Sequence, residues 1–190
     1  MNFCRRSQLG GIFTAHKIMS RIKEFKRSLD DLLGSLIGQR LVSVVYRTID
    51  GECTSSDVAA GVGWIGGEVQ LTFESSSPVT VGWGENDGWS DHFSLAIGAR
   101  STFHPGTLVP FSANEAPEWS KHIGSVLLGA RCSGANMTPH VLVLRFATGS
   151  VALADGRRND IGDGDDVVVL PLERCDLSSM SEQLWSAGAS

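Results

Sequence analysis

The chain has 190 residues, of which 42% are hydrophobic and 19% are charged, as is typical of one globular domain or of two small halves that share a core. No run of about 18 apolar residues occurs, which argues against a membrane-spanning helix. The formal net charge of -5 divides into +6 for residues 1–28 and -11 for the remainder. The acidic body disfavours nucleic acid as a partner and favours a basic protein.

The N-terminal residues differ in character from the rest of the chain. Their basic start leads into a short apolar part that His16 and Lys17 interrupt, which is a poor secretory signal. An organellar leader and a translation start at Met19 are the alternatives. We expect residues 1–18 to be a flexible N-terminal extension and residues 19–190 to form a single β-rich α+β domain.

The four cysteines, Cys4, Cys53, Cys132 and Cys175, are scattered and contain no CxxC pair. This spacing argues against a structural zinc site and favours a reducing, cytoplasmic location over a disulfide framework. We expect the cysteines to be small buried hydrophobes. We also expect no metal site and no cofactor.

Residues 20–36 form the clearest predicted helix. Apolar side chains recur there at steps of three and four, which predicts one buried stripe. The stripe consists of Ile22, Phe25, Leu29, Leu32, Leu33 and Leu36. Ser20 is a suitable N-cap, and Gly38 supplies the left-handed residue that commonly ends a helix.

Beyond residue 39 the pattern becomes that of β-strands, with β-branched, aromatic and alternating apolar residues. Strands are predicted at 40–48, 68–75, 79–83, 92–98, 124–132, 140–147, 150–155 and 166–171. The proline-containing segment 101–120 predicts a long irregular crossing. Ser179 and Glu182 have the spacing of a capping box, which predicts a short helix over 179–187.

Two parts of the chain resemble each other. "LIGQRL" at 36–41 is similar to "HIGSVL" at 122–127, and the hairpin "VQLTFESSSPVTVGWGE" is similar to "LVLRFATGSVALADGR". We therefore predict an α+β fold of mainly antiparallel sheet, with one N-terminal amphipathic helix, a short C-terminal helix and two similar β-hairpin halves. The halves would span about 36–98 and 122–171; a chance likeness between hairpins is the alternative.

The common catalytic and nucleotide-binding motifs are absent from the sequence or lack the context they need. Gly61, Gly63 and Gly66 have the G-x-G-x-x-G spacing, but a strand is predicted at Glu68 where a dinucleotide site needs a helix. No phosphate-loop, zinc-protease or serine-hydrolase motif occurs. The histidines have no metal-ligand spacing and are expected at the surface or at strand edges; they are His16, His92, His104, His122 and His140.

The stretch "GWGENDGWSDHF" at 82–93 predicts a hairpin tip with an acidic loop at 85–91, here called the first acidic loop. Its predicted partner-binding residues are Trp83, Glu85, Asn86, Asp87, Trp89 and Asp91. The tryptophans offer rigid contact area and the acids offer specificity. Tryptophans packed beneath the turn are the alternative; catalysis by Glu85, Asp91 and His92 lacks a second motif.

A second acidic loop is predicted at 155–166, and it begins with Asp155. It carries Asp160, Asp163, Asp165 and Asp166 but lacks the order of ligands that calcium-binding EF-hand loops use. It is either a solvated loop or a contact surface that steers a basic partner by charge.

These hairpins, with the patterns "L.G..L..V", "V.LTF" and "V.VGW", resemble the immunity proteins of bacterial toxin systems over about residues 34–171. That resemblance implies a protein that binds a cognate toxin and blocks its active site. The predicted function is a non-enzymatic protein that binds and neutralises another, basic protein, with neither nucleic acid nor a membrane as partner. The alternatives are a small-molecule or carbohydrate-binding module that uses Trp83 and Trp89, and a hydrolase.

Overall fold

A computed structural model describes residues 7–49, 54–57, 62–85, 93–135, 138–155, 167–172 and 184–186. Over these ranges the chain forms a helix followed by β-strands. The elements are α1 (Ser7–Leu36), β1 (Leu41–Thr48), β2 (Thr54–Asp57), β3 (Val62–Ile65), β4 (Gly67–Phe73), β5 (Val79–Glu85), β6 (Phe93–Gly98), β7 (Val109–Ser112), β8 (Leu127–Ala135), β9 (Thr138–Phe146), β10 (Gly149–Asp155), β11 (Val167–Pro171) and β12 (Leu184–Ser186). The structure is therefore mainly antiparallel sheet with one helix, as the predicted α+β class requires.

The helix is longer than the sequence pattern predicts. It begins at Ser7 rather than at Ser20, so the helix extends into the segment 1–18. That this segment is a flexible extension of the domain stays a prediction. Residues 7–36 contain no proline, and a helix that has formed its costly first turn extends readily until a residue stops it. Ser20 is an interior residue of the helix and not its N-cap.

The predicted apolar stripe of α1 is confirmed over its described side chains. Leu29, Leu33 and Leu36 are buried in the main core, and Phe25 and Leu32 pack against it half-buried. The helix contacts β6 and β8, which are strands of different sheets. The apolar stripe of α1 therefore covers the core next to one strand of each sheet.

The first sheet has five antiparallel strands in the order β6-β5-β4-β1-β7. In β4 the alternation predicted from sequence is confirmed, because Val69, Leu71 and Phe73 are buried in the core. Gln70 and Thr72 lie between them and are partly exposed. Burial of one face explains why the strand holds this register.

The second sheet has seven strands in the order β12-β8-β9-β10-β11-β3-β2. The chain passes directly from the second sheet to the first through Gly66, which separates β3 from β4. Leu142, Leu144 and Leu153 face the main core. Both faces of β9 and β10 are apolar, because Val141 and Ala152 belong to a second buried cluster on the opposite side.

The two sheets are joined where β1 and β8 begin. The Gly38 N–H donates to the Leu127 carbonyl at 2.8 Å. In the reciprocal contact, the Gly124 N–H donates to the Leu41 carbonyl at 2.7 Å. Both glycines have positive φ, 87° and 77°, the left-handed conformation that side chains with a Cβ disfavour. The predicted left-handed conformation of Gly38 is confirmed, and Gly124 adopts the same conformation ahead of β8.

The strands that follow these glycines have matching registers. β1 pairs Leu41 with Phe73 and then shifts register. β8 pairs Leu127 with Phe146 and also shifts register at the next residue. Each strand therefore carries a bulge directly after its first buried leucine.

The segment 101–120 is irregular over most of its length, as predicted, but it contains the edge strand β7. The irregular chain continues to residue 126, since β8 begins at Leu127 and not at 124 as predicted. The Ala113 N–H donates to the Val44 carbonyl at 2.9 Å. Further along, the Trp119 Nε1–H donates to the Tyr46 hydroxyl at 2.7 Å, and that hydroxyl donates to the Glu118 carboxylate. All three side chains of this network are buried, so the crossing is fixed to β1.

A C-terminal helix is predicted over 179–187, but the described residues of this segment form a strand. Leu184–Ser186 is the strand β12, which pairs with β8 and places Trp185 opposite Cys132. A capping-box spacing is a local signal, and here pairing with the available edge of β8 prevails over it. The glycine-rich stretch around Gly63 likewise lies in a strand, β3, and is followed by a strand rather than a helix.

Candidate functional site

The first acidic loop begins at the end of β5. Glu85 is the last residue of that strand and pairs with Phe93, the first residue of β6. Four of the predicted partner-binding residues lie outside the described residues, as does His92; they are Asn86, Asp87, Trp89 and Asp91. The structure therefore fixes the two strand ends that carry this loop.

Trp83 lies two residues before the loop and is half-buried. Its indole packs against the main core and meets the Phe103 ring edge-on, with centroids 5.4 Å apart. The Thr102 hydroxyl is 3.4 Å from the Trp83 carbonyl oxygen. Part of the predicted contact surface of Trp83 is thus occupied by its own chain, and its role in binding stays a prediction.

The second acidic loop begins in the corresponding way at the end of β10. Asp155 is the last residue of that strand and pairs with Val167, the first residue of β11. The predicted partner-binding residues Asp160, Asp163, Asp165 and Asp166 all lie outside the described residues. Here too the structure fixes the strand ends that carry the loop.

At the base of the second loop the structure brings together a histidine and a carboxylate. The Nδ1 atom of His140 lies 2.5 Å from Oδ2 of Asp155. Asp155 is only 3% exposed, whereas the His140 side chain is 39% exposed. A buried carboxylate therefore holds a partly exposed imidazole at the end of the core.

This pairing follows from the register of the β9–β10 hairpin. Gly149 pairs with Phe146 and Ala154 pairs with Val141, so the next position along the ladder sets Asp155 beside His140. The sequence pattern alone predicts a surface or edge histidine at 140 and an acidic loop that starts at Asp155. The short turn in "RFATGS" could have revealed the pair, because turn length sets hairpin register.

An imidazole held in this way has a defined chemical capability. A carboxylate at Nδ1 fixes the ring orientation and favours the proton on Nδ1, which leaves Nε2 for a second molecule. In many enzymes and metal sites a buried carboxylate orients a histidine by this means. Among the residues that the structure describes, no group of three His, Cys, Asp or Glu side chains could hold a metal ion.

A second buried carboxylate lies on the outer face of the five-stranded sheet. Glu68 is fully buried, and its Oε1 accepts a hydrogen bond from Arg47 Nη1 at 2.9 Å. Its Oε2 has no partner within the described part of the chain. Gly82 pairs with Glu68 on β5, where a Cβ would lie 3.2 Å from the Glu68 Cβ. Sequence reasoning missed this ion pair, because its members are 21 residues apart.

Two further sequence expectations concern single residues of the core. Burial raises the pKa of the Cys132 thiol to about 12, and the negative charge of the nearby Asp30 is a second, smaller cause. This cysteine therefore behaves as the small buried hydrophobe that was predicted. His122 does not lie at the surface as expected. It is fully buried, with Nδ1 2.8 Å from the Thr148 hydroxyl and its ring against Phe146. His104 is exposed, as predicted.

No protein-family model, curated protein or solved structure matches this chain. No helix in the described ranges combines the length and the apolar character that crossing a membrane requires.

Proposed function

We propose that this protein binds and neutralises another protein without catalysing a reaction, as the immunity proteins of bacterial toxin systems do. The observation that carries the proposal is the placement of its acidic residues. The first acidic loop carries three carboxylates and the second carries five, including Asp155. Each loop is attached at both ends to paired strands, Glu85 with Phe93 and Asp155 with Val167.

Loops held by a rigid scaffold are common places for binding residues. A net charge of -11 over residues 29–190 speeds the encounter with a basic partner and weakens binding to acidic ones. Carboxylates of either loop could occupy the position of nucleic-acid phosphates if the partner is a nuclease. A cytoplasmic location belongs to the same proposal, and the scattered cysteines without a CxxC pair favour it.

We also infer that the fold consists of two similar halves, at about 36–98 and 122–171. The strand order β6-β5-β4-β1 in one sheet matches the order β11-β10-β9-β8 in the other. The strands β1 and β8 occupy equivalent places in these orders, and each carries a bulge directly after its first buried leucine. On this view the two acidic loops connect equivalent strands. A duplicated unit would thus have placed an acidic loop at the same point twice.

Charge reversal in the second acidic loop tests the proposal. We predict that Asp163→Lys, Asp165→Lys and Asp166→Lys together abolish binding to the partner, because three attractive contacts become repulsive. These positions are chosen because Arg157 and Arg158 already offset charge earlier in the loop. The measurement is the dissociation constant for the protein captured from the native cell.

The matched control reverses three exposed acids elsewhere. Glu24, Asp31 and Glu115 are exposed, and changing all three to lysine alters the net charge by the same amount. We expect the control to retain most of the affinity. Equal weakening in both variants would mean that overall charge and not this loop decides binding, and unchanged affinity in the first variant would remove the loop from the account.

A second candidate function is a small-molecule or carbohydrate-binding module. The observation that favours it is the half-buried Trp83 near the end of β5, because the exposed part of an aromatic side chain can stack on a sugar ring. A change in tryptophan fluorescence on adding a sugar, absent in Trp83→Phe, would support the module. No change across a broad panel of sugars and nucleotides would count against it.

A further inference from the structure

Asp155 is a carboxylate in a position that the fold otherwise fills with apolar groups. It continues the face of β10 whose preceding members, Val151 and Leu153, lie in the main core. Asp155 pairs with Val167 on β11, which is itself buried in the main core. The carboxylate therefore lies at the end of a row of buried apolar side chains.

A buried carboxylate loses its hydration, and that loss is repaid only when a partner satisfies it. The described partner of Asp155 is His140, whose imidazole is partly exposed. An apolar pair would stabilise this end of the core without such a loss. The pair is therefore better explained by what it does to the imidazole than by the stability of the core.

The pair fixes which nitrogen of the imidazole carries the proton. An ionised carboxylate accepts hydrogen bonds and cannot donate them, so the neutral imidazole must direct Nδ1–H toward Asp155. Its Nε2 then carries a lone pair and accepts a hydrogen bond from another molecule. In this tautomer Nε2 is an acceptor, and the neighbouring carboxylate favours a donor that carries positive charge.

We propose that Nε2 of His140 accepts a hydrogen bond from a cationic N–H group of a bound protein, of the lysine ammonium or arginine guanidinium type. Asp155 acts as the positioning residue that sets the tautomer. The identity of the bound protein rests on the proposed function. The chemistry of the site does not, because a small cation can test it on the protein alone.

The first measurement is the tautomer of His140, by imidazole nitrogen NMR of the full chain at mildly alkaline pH. We expect a protonated Nδ1 and an unprotonated Nε2. The exposed His104 provides the internal reference, and its signals are assigned by their loss in His104→Gln. A proton on Nε2 of His140 would overturn the proposal, whether or not a protein partner is ever found.

The second measurement uses n-butylammonium as the probe and tetramethylammonium as the control, since the two ions have equal charge but only the first has N–H donors. We expect n-butylammonium to shift the His140 Nε2 signal toward saturation and tetramethylammonium to leave it in place. The shift should be lost in Asp155→Asn, which removes the charge that favours Nδ1–H. An equal response to both ions, or no response in the wild type, would overturn the proposal.

The outcomes separate this inference from the proposed function. A response to n-butylammonium in a chain that captures no protein partner would leave the site intact and remove the neutralising role. A captured partner whose affinity is the same for wild type and His140→Gln would keep that role and place its contact elsewhere.

Discussion

At the scale of single residues, buried polar groups determine how the crossing segment is held. Tyr46 connects β1 to the segment 113–124 because its hydroxyl both accepts from Trp119 and donates to Glu118. These contacts span more than 70 residues of chain, with separations of 73 and 72. A single hydroxyl thus ties two distant parts of the sequence together in the core.

We predict that Tyr46→Phe destabilises the protein by about 2–4 kcal/mol, because it leaves the Trp119 N–H and the Glu118 carboxylate without their shared partner. The free energy of unfolding from denaturant titration measures this loss. Glu118→Gln is the comparison, since it keeps an oxygen that can accept from the hydroxyl and should cost less. A stability of Tyr46→Phe within about 0.5 kcal/mol of the wild type, the usual range for surface changes, would contradict the role of this network.

At the scale of elements, the two left-handed glycines set where β1 and β8 begin. Gly38 and Gly124 have φ values of 87° and 77°, and a Cβ added to either would meet nothing within 4 Å. Substitution by alanine therefore costs conformational energy without a clash. The two positions should respond alike, because they occupy matching places ahead of their strands.

We predict that Gly38→Ala and Gly124→Ala each destabilise the protein by about 1–2 kcal/mol, the cost of a left-handed residue that has a Cβ. Gly34→Ala is the matched control. Gly34 lies within α1 and also has open space around its Cα, so alanine should stabilise by about 0.5–1 kcal/mol. Unfolding midpoints decide the matter, and stabilisation by all three changes would show that the backbone at 38 and 124 is not constrained.

Elements whose residues alternate regularly could be predicted from the sequence. Val69, Leu71 and Phe73 mark β4 because one face of that strand is buried, and Leu29 and Leu33 mark the stripe of α1 because both meet the core. The start of α1 was placed too late because Ser20 was interpreted as an N-cap, although Leu9, Ile12, Ala15 and Met19 continue the apolar stripe at steps of three and four.

Elements that depend on distant partners escaped prediction. The strand β12 forms by pairing Trp185 with Cys132, and the crossing segment is fixed by Tyr46 rather than by its own sequence. The pair of His140 and Asp155 was missed for a similar reason, because the two residues come together only through the register of the β9–β10 hairpin. The local pattern of residues along a segment does not indicate which distant segment it pairs with.

At the scale of the whole molecule, the proposed binding depends on a difference in charge between the N-terminal segment and the rest of the chain. Residues 1–28 carry a net charge of +6 and the remainder carries -11. Attraction between an acidic surface and a basic partner acts over about 10 Å at 0.1 M salt and over less as salt rises. Binding that rests on this attraction must therefore weaken in salt.

The measurement that tests the central claim most directly is affinity capture of the tagged protein from its native cell, at low and at high salt, with mass spectrometry of the captured proteins. The proposal predicts one stoichiometric basic protein that is lost or weakened at high salt. A partnerless monomer under both conditions would contradict a neutralising role and would favour the small-ligand module at Trp83.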